Sequence, residues 1–332
     1  MGLTLMGLSF VQAVAIASSV AVLLMVVGSL TLLPTGPGAP VWTYNDYWGT
    51  YVSVFELPEP HDELLIRAVS MVETEPFGGV PSPAQRPSWE SLHAQAPGGR
   101  QLEFLLPTPL TTLTAQTCEA VVAGISGLRP DEGAEAISAG VREHVTYLPG
   151  ATGVRTSAQE AWDKGQGVCQ DMAHLTVALL RGAGLPARYV SGYLHPDPEA
   201  EPGRTAIGQS HAWVEYWAGS WVPLDPTSGA LVGERHVVVA RGRDYADVPP
   251  LKGIYHGPPE SSMEVTVEVT RLALSRNLRE FAISEGAWAV SECRVRRTAG
   301  SRLVLAGWRS LTDRSAAPQA GRGNGVAGRG PS

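Results

Sequence analysis

The chain has 332 residues, 44% apolar and 17% charged, with 37 Gly, 26 Pro and 3 Cys. That is enough for two ordinary domains with a real core, which excludes a wholly disordered chain and a disulfide-stapled miniprotein. Net charge is −7, and because residues 293–332 hold eight Arg and one acid, residues 1–292 carry −14; so acidic a body excludes nucleic acid as the main partner, since phosphate binding needs clustered Lys and Arg.

No Asp, Glu, Lys or Arg precedes Asp46. From Leu3 to Leu33 the chain is apolar apart from Gly, Ser, Thr and Gln12, and ~20 such residues suffice to cross a bilayer. Segment 1–40 is expected to hold a transmembrane helix, anchoring the chain through residues 3–33. Its alternative is a buried helix, which leaves the chain cytoplasmic. A secretory signal fits less well, because no cation precedes the apolar run and no small-x-small site closes it. Pro34 to Pro40 is a breaker-rich hinge. Beyond it, Tyr51–Glu56 and Leu64–Val72 suit two strands, and Thr74–Gly99 suits a loop. Residues 41–115 therefore form a small β-rich domain.

Cys118, Val121, Val122 and Ile125 recur at helical spacing, as do Ala134, Ile137, Val141 and Val145 after the Arg129-Pro130 break, with Pro149-Gly150 as the stop. A short helical piece follows at Ser157–Trp162. Gly165-Gln166-Gly167 leads to a helix over Cys169–Leu180 that is apolar on most faces, hence buried, and stopped by Gly182 and Gly184. Ala187–Leu194 reads as a strand, and His195–Gln209 as an acidic, Pro-containing loop long enough to be a rim or lid. Strands then occupy His211–Trp217, Trp221–Leu224, Val237–Ala240 and Met263–Leu274. Residues 116–275 make up the second domain, and residues 276–332 an irregular to disordered basic tail.

Cys169, His211 and Asp225 carry the chemistry. A lone Cys is usually a small buried hydrophobe. Cys169, however, follows a Gly-x-Gly loop and opens a helix, where unpaired backbone N–H groups and the positive dipole end favour a thiolate and an oxyanion. His211 begins an alternating strand. If the next turn is the three-residue Ala218-Gly219-Ser220, Trp217 pairs with Trp221, and Asp225 faces Trp213 on the His211 side of the sheet. A two-residue turn puts Asp225 on the opposite side. The blander readings are a histidine ending a strand and an Asp-Pro turn.

The stretches GVCQDMAHLTVALLRGAGLPARYVSGYL, SHAWVEYW and WVPLDPTSG closely resemble the core of bacterial transglutaminase-like proteins, which are similar to the papain-like cysteine enzymes. The likeness runs from about Tyr44 to Leu272. It implies an α+β fold, with a nucleophile helix packed on an antiparallel sheet after a small β-rich domain. It also implies Cys169 as nucleophile, His211 as base and Asp225 as the orienting acid. The chain departs from the family at both ends: the apolar run stands where strands open the N-terminal domain, and the usual ending is lost after Arg276.

The chemistry so implied is thiol acyl transfer on a peptide or glutamine carboxamide through a thioester, with a protein or peptide as substrate partner. Hydrolysis is the favoured outcome. Transfer to an amine, which crosslinks proteins, stays open, as does a non-catalytic peptide-binding module. Tyr193, Trp213 and the 195–209 loop are candidate substrate contacts. No cofactor is expected, since Cys169, His174, His195 and His211 match no familiar zinc spacing. His174 lies about 140° around the helix from Cys169 and suits a packing role. Asp171 suits a dipole partner for the helix start.

Overall fold

A computed structural model describes residues 27–33, 41–72, 74, 86–95, 100–197, 199–256, 261–271 and 289–308. Its elements form two antiparallel sheets, a two-stranded parallel pair and a group of helices.

The larger sheet draws on both ends of the chain. Strands β1 (Val27–Leu33), β3 (Tyr51–Met71), β13 (Ala289–Trp308), β12 (Ser261–Thr270) and β7 (Thr205–Ile207) lie in that order, with β2 (Val41–Asn45) on β3 and β11 (Leu251–His256) on β13. Several expectations change here. Residues 27–33 of the supposed span are a strand paired with 65–71, while residues 3–26 lie outside the described residues. Among the described residues no helix is long and apolar enough to cross a membrane. The two strands expected at 51–56 and 64–72 are one. Pro58 and Pro60 fall opposite the stretch of β13 where the register shifts; proline has no N–H to donate to a regular ladder. Part of the supposed tail, 289–308, is a strand with partners on both sides. Strands β11 and β12 likewise belong to this sheet and not to the one that carries His211. The 195–209 segment is not all loop, since its residues 205–207 pair with β12. Within the segment expected as loop at 74–99, Trp89–Gln95 is helix α1.

The helical group contains α2 (Ala115–Gly124), α3 (Pro130–His144), α4 (Ala158–Lys164) and α5 (Cys169–Gly182). Helix α3 ends at His144, earlier than Pro149-Gly150 suggested, because Thr146–Tyr147 (β4) turns out to pair in parallel with Gln166–Gly167 (β5). Helix α5 is the hub. Met172, Leu175, Leu179 and Leu180 are fully buried, and they pack with Ala134, Ile137 and Val141 of α3 and with Ala158 and Ala161 of α4. A helix apolar on most faces is stable only when surrounded, and this one is surrounded. Its last turn is tied down by Arg181, whose guanidinium donates to the carbonyls of Phe104, Leu106, Ala187 and Arg243 and to the Thr111 hydroxyl. Burial pulls that guanidinium down to about 10 despite nearby Asp244.

The smaller sheet has the order β10 (His236–Gly242), β6 (Ala187–Leu194), β8 (Gln209–Trp217), β9 (Trp221–Leu224). One face carries Ala187, Tyr189, Ala212, Val214, Tyr216 and Val222 into the α5 core. The other holds a second apolar cluster of Val190, Trp213, Val232 and Val238. Burial of both faces explains why β8 is buried at every position from His211 to Tyr216.

Candidate active site

The site forms where α5 begins. Val168 caps the helix, and the Asp171 carboxylate reaches back to the Val168 N–H at 2.7 Å while accepting the Thr152 hydroxyl at 2.6 Å. This closes one orphan donor of the first turn and anchors the 148–156 loop beside it. The Gln170 side-chain amide donates to the Val154 carbonyl at 3.3 Å, a second tie to the same loop. Gly167 is required here, because a Cβ would stand 2.8 Å from the Asp171 carboxylate. Asp171 is thus more than a dipole partner. Cys169, half-buried, occupies the first helical position.

His211 is the third residue of β8, and Asp225 follows β9 directly. The observed register pairs Trp217 with Trp221 and Val214 with Leu224. The connection is therefore the three-residue turn, closed by Ala218 N–H to Ser220 carbonyl at 2.9 Å, with Gly219 at φ +86° where an L side chain is strained. Asp225 consequently lies on the His211 side, and its Oδ2 is 2.9 Å from His211 Nε2.

Asp225 is buried and surrounded by donors. Oδ2 also accepts the Ser228 hydroxyl at 2.6 Å, and Oδ1 accepts the Thr227 and Ser228 N–H groups at 2.9 and 3.4 Å. Burial alone raises a carboxyl, but here the hydrogen bonds from His211, His236 and Ser228 outweigh it and hold Asp225 far below the usual range. His211 shows the mirror effect. Burial pulls its imidazolium down, yet the bonds and charges of Asp225 and Cys169 prevail and push it up to about 9. Nε2 is engaged by Asp225, and the Cys169 side chain is among the partners that raise the ring. Tyr147, half-exposed on β4, is held above its ordinary value by burial and then by the nearby Cys169 charge.

The remaining candidates divide. Trp213 is fully buried in the second cluster, so it is not a substrate contact. Its ring lies 6.1 Å from the His211 ring and 5.3 Å edge-on from His236, forming the floor beneath both imidazoles. Alternation placed it correctly on the His211 face but could not say that this face is covered. Tyr193 is half-buried on β6, opposite Ser210 and Val237. His174 is wholly buried, with Nε2 accepting the Tyr245 N–H at 3.1 Å, and burial drives it down to about 3. His195 turns its Nδ1 to the Asp197 carbonyl at 2.8 Å. Cys118 packs against Gly182, and burial, then Glu119, raises its thiol. Cys293 lies in β13, opposite Ile66 and Val265.

His236 is the residue that sequence reasoning missed. It opens β10, and its Nε2 lies 3.5 Å from Asp225 Oδ2. His211, Asp225 and His236 present one ligand atom each within 4.8 Å of one another, close enough to share an ion. All three atoms are already committed to hydrogen bonds within the trio. The signal available was weak: a single His before VVVA, eleven residues beyond Asp225.

The helix-borne Cys169, strand-borne His211 and following Asp225 all fall within the span of one family match. Residues 116–226 match the family model of the transglutaminase-like superfamily. The chain belongs to this superfamily. An uncharacterised protein of Mycobacterium leprae is 42% identical over 244 residues, which are 74% of this chain and 86% of that one. A protein-glutamine gamma-glutamyltransferase of Pseudomonas aeruginosa is 36% identical over 86 residues, covering 25% of this chain and 13% of the enzyme. Among solved structures, a proposed cysteine protease from Cytophaga hutchinsonii aligns with TM-score 0.47 and 18% identity over 87% of this chain and 82% of that one. This transglutaminase-like chain thus carries its family core across α2 to β9, with the larger sheet built from sequence on either side of it together with β7 from within it.

Proposed function

We propose that this transglutaminase-like chain is a thiol acyl-transfer enzyme acting on a protein or peptide carboxamide or peptide bond, with Cys169 as nucleophile, His211 as proton carrier and Asp225 as the acid that orients it. One observation carries the reading. His211 Nε2 is fixed by Asp225 at 2.9 Å, which leaves Nδ1 for the Cys169 thiol at a helix start.

The steps follow from those positions. His211 Nδ1 takes the Cys169 proton, and the sulfur attacks the substrate carbonyl carbon. The electron pair of the C=O moves to oxygen, where the free N–H groups of the first turn of α5 stabilise it. Collapse breaks the C–N bond. His211 returns its proton to the leaving amine or ammonia, and a Cys169 thioester remains. In the second half, water gives its proton to His211 and its oxygen to the acyl carbon, and the Cys169 thiol is regenerated with release of the acid. Asp225 keeps its charge throughout and stabilises the imidazolium.

Hydrolysis is the preferred outcome, because water needs no second binding site. Transfer to a lysine amine is the alternative, favoured by the likeness of a quarter of the chain to a gamma-glutamyltransferase. Tyr193 is the proposed rim contact, joined by Tyr147, which stands near the Cys169 charge. Purified protein incubated with glutamine-containing peptides, with and without a primary amine, and followed by mass, tests the reading. Ammonia release or cleavage means hydrolase, and amine incorporation means transferase. No product, together with slow iodoacetamide labelling of Cys169, overturns it in favour of a peptide-binding module.

A further inference from the structure

His236 is a buried imidazole, 4% exposed, that no step above uses. Its tautomer can be read from its partners. Nδ1 accepts the Gly233 N–H at 3.3 Å, so in the neutral ring the proton resides on Nε2. Nε2 points at Asp225 Oδ2, the oxygen that also receives His211 Nε2 and the Ser228 hydroxyl. The ring has little freedom. It stands edge-on against the buried Trp213 indole, and its backbone is paired to Leu194 at the start of β10. Trp213 in turn reaches over Gly192, where a Cβ would come within 2.6 Å of the indole and 2.1 Å of the Val237 carbonyl.

We propose that His236 is a positioning residue acting through Asp225: by donating its Nε2 proton to the carboxylate oxygen that faces His211, it limits how tightly Asp225 holds the His211 proton. The inference rests on the acyl-transfer reading, in which His211 must both take a proton and give it up. A carboxylate oxygen has a fixed negative charge to share, so each further donor leaves less for the imidazolium beside it. With Ser228 and His211 alone, Oδ2 stabilises the charged His211 more strongly, and proton return to the leaving amine slows. A proton carrier works best when its affinity is not far above the working pH.

Among the described residues, the ionisable groups that bond or pack against His236 are Asp225 and His211. Asp225 faces it from the end of β9 and His211 from β8. Arg235, its neighbour in sequence, directs its guanidinium to the His195 and Pro196 carbonyls. The His195 imidazole is turned to the Asp197 carbonyl. Asp225 is therefore the carboxylate that the His236 N–H meets among the described residues.

The test is a nitrogen-15 imidazole NMR titration of the full chain as wild type, His236→Phe and His236→Gln, run beside kcat/KM against pH for a glutamine peptide. Phe keeps the ring against Trp213 and loses the donor; Gln puts an amide N–H near the lost one. The wild-type spectrum should show His236 protonated on Nε2. In His236→Phe the His211 midpoint should rise by about 0.5 pH unit or more, roughly threefold in proton affinity. The basic limb of kcat/KM should move up with it, kcat should fall more than KM changes, and His236→Gln should restore all three. An unmoved His211 midpoint in His236→Phe, or equal shifts in Phe and Gln, overturns the proposal. If His236→Phe does not fold, a wild-type His236 protonated on Nδ1 overturns it, and Nε2 protonation with a wild-type midpoint in the Gln variant supports it. The midpoint needs no turnover, so a shift without product on any peptide indicts the acyl-transfer reading, and turnover without a shift indicts His236.

Discussion

Trp217 pairs with Trp221, and that one pairing decides which face of the sheet Asp225 occupies. The side-chain period of a strand is two, so a slip of one residue sends Asp225 to the α5 face, away from His211. The turn that sets the register has Gly219 at φ +86°, a conformation other residues adopt at a cost.

Asp225→Asn should therefore retain the fold and lose most of the activity. The amide cannot stabilise the His211 cation and does not fix its tautomer. The expected fall in kcat is on the order of 10³–10⁴-fold, by analogy with the orienting acid of serine triads, with KM little changed. Steady-state kinetics beside a circular dichroism melt checks this, and activity within tenfold of wild type contradicts it.

The raised His211 also predicts a pH dependence of stability. Its folded value of about 9 lies above the ordinary 6.5. The folded state thus binds the proton more tightly than the unfolded chain, so the contribution is fully present below 6.5 and is lost as pH rises through 9. It should amount to no more than about 3.5 kcal/mol, at roughly 1.4 kcal/mol per unit. Urea unfolding at pH 6, 7.5 and 9.5 should show this decline in wild type and a flatter profile in His211→Gln.

Glu215 is buried between two cations. Its carboxylate meets Arg188 at 2.6 Å and Arg241 at 3.0 Å, and Arg188 in turn lies over the Trp221 ring at 4.0 Å. Burial raises the carboxyl, but Arg188 and Arg241 carry it down to about 2. Glu215→Gln should destabilise the protein by about 3–5 kcal/mol, because it strands a buried charge and does not simply remove a pair. A urea midpoint within a few tenths molar of wild type contradicts this.

Gly192→Ala tests the floor of the site. The added methyl meets the Val237 carbonyl and the Trp213 ring well inside contact distance, so β6 and β10 must part. A loss of about 1–3 kcal/mol is expected for such overpacking, with a larger proportional fall in kcat/KM, since Trp213 supports both imidazoles. Thermal melts and kinetics on the same sample separate the two effects.

Much of the site was legible in the sequence because it is built from local signals. The Gly-x-Gly loop before Cys169, the apolar run after it and the Ala218-Gly219-Ser220 turn each depend on neighbours a few residues away. Less legible were features set by distant partners. The strand at 289–308 exists because β3 and β12 flank it, and its arginines and glycines read as tail when taken alone. The apolar front read as a membrane span, yet residues 27–33 find a partner strand in 65–71, and apolarity cannot distinguish the two.

By itself, then, the sequence determined the helix that presents Cys169, and its resemblance to a known family carried the family core and the α+β class; it left the face of Asp225 conditional on the length of the turn after Trp217. The helix follows from period and glycine placement, both short-range, whereas the three-residue turn was decided by the observed Trp217–Trp221 pairing. Only the tertiary structure decided that the face is covered, that Trp213 is floor and not rim, and that a second imidazole reaches the same carboxylate. Burial and convergence of side chains from β8, β9 and β10 depend on strand order, and strand order is a long-range property that no local pattern encodes.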